Sequence, residues 1–98
     1  MSAMAGYIVL VHKDEGTSYG VSFPDVPGCI AAGDTFEDAV ADAAEALAAH
    51  FALIKADGDP VPTPRSFEQQ RRDPQFIDDS ADAIVTMVMP RTAMAAAE

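Results

Sequence analysis

Residues 23–39 read F-P-D-V-P-G-C-I-A-A-G-D-T-F-E-D-A. Each proline fixes its own φ and lacks a backbone N–H, so no sheet ladder runs through residues 24–28. Gly28 supplies a residue that adopts positive φ without strain. Asp34 and Thr35 are both good helix N-caps, and Glu37 stands three after Asp34, as in a capping box. Acidic Glu37 and Asp38 in a first turn suit the helix dipole. A strand must therefore end near Phe23, the chain must turn, and a helix must begin just after Thr35.

The flanking sequence fits that frame. Residues 7–13, Y-I-V-L-V-H-K, are β-branched and apolar at nearly every position, which predicts a central strand. A polar turn at 14–18 leads to a second strand at 19–23, so the pair forms a hairpin. Residues 29–32 make a short third strand. Phe36, Val40, Ala43, Leu47, Phe51 and Ile54 recur at intervals of three or four, one apolar stripe on a helix running to about Ala56. Gly58 stops it. The prolines of 59–64 keep that segment extended. Ser66 caps a short helix over 66–72, which Asp73-Pro74 ends, and Asp78, Asp79 and Asp82 mark a solvated loop. Residues 83–89 form a fourth apolar strand.

The order β-β-β-α-β predicts an α+β domain. A three-strand antiparallel meander is joined by a fourth strand, parallel to the first through a right-handed crossover. One long helix packs on one sheet face. The other face is left under-covered, which predicts self-association. One domain over residues 7–90, a disordered N-terminus at 1–6 and a short tail at 91–98 complete the expected organisation.

Charge narrows the function. The net charge is −10 over 98 residues. Residues 1–64 carry ten acids against Lys13 and Lys55, whereas residues 65–98 carry six acids against four arginines. Such a surface repels phosphate backbones and draws a basic protein partner. The single Cys29 forms no internal disulfide, no apolar run is long enough to span a membrane, and no basic signal region opens the chain. A cytoplasmic protein without cofactor is the expectation. His12 and His50 lack an evident nucleophile or ligand partner, and Cys29 reads as a small buried apolar residue.

The segment 19–29, Y-G-V-S-F-P-D-V-P-G-C, followed by G-D-T-F-E-D-A at 33–39, resembles the HicB antitoxin family. The family pattern is F-P-D-x-P-G-C, then G-D-T-x-E-E-A and a long alanine-rich helix. This chain departs at Asp38, where the second Glu stands. The resemblance implies a partial ribonuclease H-like fold without nuclease activity. It also implies a bacterial antitoxin that occludes the active site of HicA, a small basic mRNA-cleaving toxin, and that often forms dimers or tetramers. Family members usually continue into an operator-binding module. Here eight residues follow Pro90, so direct DNA binding is not expected of this chain.

Asp25, Glu37, Asp38, Asp42 and Glu45 are the residues expected to meet the basic partner. Two other functions compete. One is a stand-alone oligomeric scaffold or binding domain without a toxin. The other is a residual metal-dependent nuclease using Asp14, Glu45 and Asp25 or Asp34. A strand at 83–90 without an acid argues against the clustered carboxylates that a two-metal site needs.

Overall fold

The computed structural model describes residues 6–13 and 16–90. The tail at 91–98 and all but Gly6 of the expected disordered N-terminus lie outside them. In chain order the elements are β1 (Tyr7–Lys13), β2 (Tyr19–Ser22), β3 (Ile30–Gly33), α1 (Phe36–Ala56), α2 (Phe67–Gln70), α3 (Pro74–Ser80) and β4 (Ile84–Val88). The four strands make one sheet in the order β3-β2-β1-β4.

Alternation along the strands sorts side chains onto two faces. Tyr7, Val9 and Val11 of β1 join Val21 and Val88 on the face that α1 covers. Ala39, Ala43, Leu47 and Phe51 form the buried stripe of α1, and Phe23, Val26 and Cys29 from the proline loop close this core. The small Ala39 and Ala43 let the helix approach closely. Gly33 permits the closest approach, because a Cβ there would sit 2.3 Å from the backbone nitrogen of Ala39. Gly28 takes a φ of 89°, as the turn requires.

The α1 cap is Thr35, whose Oγ1 accepts from the Asp38 backbone N–H at 3.0 Å, so the helix begins one residue later than a cap at Asp34 would place it. Burial also decides the state of Cys29, whose thiol is pushed up from its ordinary pKa by desolvation and is packed as an apolar group.

Two sequence expectations are corrected. Residues 74–80 form a helix, not part of a loop. Asp73 caps it by accepting from the Gln75 N–H at 3.0 Å, and Pro74 occupies its first turn. Aspartate followed by proline is a helix-start pair as well as a terminator. The second correction follows from the first. β4 runs antiparallel to β1, with Tyr7 opposite Val88 and Val11 opposite Ile84.

The path explains the direction. Phe36 meets Tyr19 at one end of the sheet, and Phe51 packs on Tyr7 at the other. α1 therefore delivers the chain to the start of β1, where a parallel fourth strand would enter. Instead α2 and α3 carry it back beneath the opposite face. There Phe76 buries Ile8 and Leu10, with Ala83 alongside. β4 then enters at the Val11 end and runs back. The second face is thus part-covered by α3, while Ile30, Val85 and Met87 stay exposed.

Candidate functional site

The acidic residues singled out by sequence separate into two groups. Glu37, Asp38, Asp42 and Glu45 are all exposed on the N-terminal half of α1. Asp38, Asp42 and Glu45 follow at intervals of four and three, so they share one flank, and Glu37 lies about a quarter turn away. This flank borders β3. The Asp42 carboxylate accepts from the backbone N–H of Ala32 at 3.1 Å. That bond ties helix to strand and fills one outward-pointing donor on the sheet edge. The remaining acids give the surface its negative field.

Asp25 sits elsewhere and does different work. Its side chain is 5% exposed and turned toward the segment after α1. It accepts from the Arg65 backbone N–H at 2.8 Å, from Arg65 Nε at 2.6 Å and from Gln70 Nε2 at 2.8 Å. Arg65 also donates to Gln70 Oε1 at 2.9 Å and to Asp73 at 3.3 Å. Gln70 is fully buried, and every one of these polar groups has a partner. Charge-assisted bonds of this kind are short and strong. Removing Asp25 would take the acceptor from Gln70 Nε2 and from the Nε and backbone N–H of Arg65. Because Arg65 is 37% exposed, the loss is about 2–3 kcal/mol, below the ~3–5 kcal/mol of a fully buried broken pair.

This clasp joins the proline loop to the start of α2 and to the cap of α3. It is reinforced by the Tyr7 hydroxyl, which donates to the Pro62 carbonyl. Burial, and then the charge of Asp25, raise the Tyr7 pKa. The hydrogen bond to Asp25 is the main cause that raises Arg65. The Gln75 N–H, and then Arg65, hold the Asp73 carboxyl below its usual range. Arg65, Gln70 and Asp73 were not foreseen as a group. Forty residues separate Arg65 from Asp25, and nothing in local spacing reports such a contact.

Among the described residues no group of three or more His, Cys, Asp or Glu side chains is placed to hold a metal. Of the acids considered for a nuclease, Asp14 lies outside the described residues and Asp25 is occupied by Arg65 and Gln70. Nor is any helix among them long and apolar enough to cross a membrane.

A four-strand antiparallel sheet, one long helix on its α1 face and an acidic flank beside β3 are the features to be matched. The model of the HicB-like antitoxin of bacterial toxin–antitoxin systems matches residues 7–96. The chain belongs to this family. It is 41% identical over 64 residues to Antitoxin HicB 2 of Photorhabdus laumondii, a match covering 65% of this chain and 45% of that protein. The crystal structure of the Burkholderia pseudomallei antitoxin HicB superimposes with a TM-score of 0.73 at 32% identity, over 87% of this chain and 62% of that one. A HicA3 and HicB3 toxin–antitoxin complex contains a chain matching with a TM-score of 0.70 at 28% identity, over 89% of this chain and 99% of that one. The chain spans less than half the length of the Photorhabdus antitoxin and under two thirds of the Burkholderia one. Within a HicB-like domain the F-P-D-V-P-G segment gains a physical meaning: its prolines end β2, and its aspartate anchors Arg65.

Proposed function

We propose that the protein is the antitoxin of a type II toxin–antitoxin pair, and that it binds a small basic HicA-like ribonuclease and covers that toxin's active site. The observation that carries this reading is the exposed acidic flank of α1, with Glu37, Asp38, Asp42 and Glu45 beside β3. A toxin that grips RNA must present cations, and a field of opposite sign steers it in and holds it. Family membership and the likeness to a chain from a toxin–antitoxin complex support it. Asp25 contributes indirectly, by holding the loop and the α2–α3 segment in place. The role is binding and not catalysis, carried out in the cytoplasm where mRNA is cut.

The test is a titration of HicA-like toxin from the neighbouring reading frame with this chain, read by RNA cleavage and by affinity at several salt concentrations. Cleavage should stop at stoichiometric antitoxin, and affinity should fall with salt. A Glu37→Lys, Asp38→Lys pair should weaken binding by roughly tenfold or more, mostly through slower association. Toxin that keeps cleaving RNA in excess antitoxin would sink the proposal. Unchanged affinity in the folded double variant would move the contact off this flank.

A further inference from the structure

Among the described residues β3 is an outer strand of the sheet, and its open side is filled by a side chain, not by a strand. The Ala32 N–H turns away from β2 and donates to the exposed Asp42 carboxylate of α1 at 3.1 Å. In an antiparallel ladder inward and outward backbone groups alternate, so Ala31 and Gly33 bond β2 opposite Val21 and Tyr19. Ile30 and Ala32 therefore both turn their N–H and C=O groups to the open side. The Asp42 oxygen stands where a carbonyl oxygen of one further strand would stand.

The surroundings select the kind of strand that fits. From Ile30 to Glu45 the chain carries Asp34, Glu37, Asp38, Asp42 and Glu45 and no Lys, Arg or His. Another acidic chain is repelled from such an edge, and a cationic segment is drawn to it. Ala31 packs on the core beneath α1, so Ile30 and Ala32 point to the opposite sheet face, beside Ser22 and Gly20. Ile30 is 76% exposed there, and a Cβ added at Gly20 would meet nothing within 4 Å. An added strand thus finds an apolar anchor, and room for long side chains laid across the sheet. The other outer strand, β4, has no charge along Ile84–Val88 and gives a basic segment no such attraction.

We propose that β3 receives an extended, Lys- or Arg-bearing segment of the toxin as an added strand, and that Asp42 is a displaceable cap that holds the place until it arrives. This rests on the antitoxin reading above and specifies how that partner is held. On docking, a carbonyl of the partner takes over the Ala32 N–H, and the released Asp42 carboxylate turns to a cation of the incoming strand. The donor is bonded before and after the exchange, so no unpaired group opposes docking. Main-chain bonds then supply affinity, and the flanking acids set the choice of partner. In the free chain the same carboxylate keeps the edge closed to wrong pairing.

Residue-resolved amide hydrogen exchange tests this on the whole chain, free and saturated with the HicA-like toxin of the neighbouring reading frame. Exchange at Ile30 and Ala32 should slow by roughly tenfold or more in the complex, because both donors then lie inside a ladder. A second measurement removes the donor. Ala32→Pro deletes the outward N–H and no bond to β2, a change that edge positions tolerate. It should weaken toxin binding by roughly tenfold or more with far-UV circular dichroism unchanged, whereas Ala32→Ser, which keeps the N–H, should stay within about threefold of the parent. A complex that blocks RNA cleavage while Ile30 and Ala32 exchange as in the free chain overturns the proposal and leaves the antitoxin reading standing. So does full affinity in a folded Ala32→Pro variant. A toxin that does not bind the parent chain overturns both.

Discussion

β3 and β4 are both edge strands of one four-strand sheet, and they are finished in opposite ways. β3 is short, lies against the N-terminal half of α1, and has one outward donor, that of Ala32, taken by Asp42. Among the described residues no helix lies beside the open edge of β4, which has no charge along its length and shows aliphatic side chains on both faces. The difference follows from connectivity. β3 feeds directly into α1 through Gly33, so the helix start must lie against that edge. β4 arrives from beneath the sheet by way of α3, pairs with β1 and places Val88 in the core under α1. An edge guarded by acids favours a basic partner, whereas a bare apolar edge favours another strand.

The largest effect that sharpens this contrast is expected from Phe76→Ala. Phe76 is 5% exposed and is the main cover over Ile8 and Leu10. Its loss should lower the unfolding free energy by about 3 kcal/mol, read by urea denaturation. Amide exchange in β4 should quicken more than in β3, because α3 supports only the β1–β4 side. Equal acceleration at both edges would show that they are not independently held.

A smaller effect should follow Asp42→Ala. The stability change is about 0.5–1.5 kcal/mol for one exposed charge-assisted bond. The more telling readout is assembly. With the Ala32 donor freed, β3 becomes a more open edge, and species larger than those of the parent chain should appear in light scattering. If none appear, the neighbouring acids guard β3 without help from the hydrogen bond.

The smallest effect concerns acid. Asp73 has a folded pKa below its unfolded one, so the stability it adds is present above the ordinary aspartate value of about 3.9 and is lost as pH falls through the folded pKa. Asp73→Asn should therefore flatten the fall of Tm on the acid side of that value, with little change near neutrality. A melting profile as steep as the parent's would mean that the α3 cap does not contribute to acid sensitivity.

Much of this architecture was legible in the sequence because its signals are local. The apolar run of β1, the stripe of α1 and the paired proline and glycine of residues 24–28 each dictate geometry within a few residues. The direction of β4 was not legible once Asp73-Pro74 was read only as a stop. Without α3 the shortest route from the end of α1 is a parallel strand, and that route is not taken. The acids of α1 were readable as an exposed group from their spacing. The burial of Asp25 was not, since its partners Arg65 and Gln70 lie forty and forty-five residues away. The edge-capping bond of Asp42 was equally invisible, because sequence does not tell which strand donors point outward.

The antiparallel pairing of β4 with β1 has a consequence for synthesis. Among the described residues the earliest strand is the most deeply buried, and its partner on one side is the latest, with Tyr7 opposite Val88. A hairpin with β2 can form early, but the Tyr7–Val88 contact closes the long loop from β1 to β4 and is entropically the slowest of the sheet pairings to make. While the nascent chain waits for residues 84–88 to emerge, β1 carries an open edge of its own that is apolar from Tyr7 to Val11. For that interval β1 itself is the strand most exposed to wrong pairing, with a neighbouring nascent copy as one available partner.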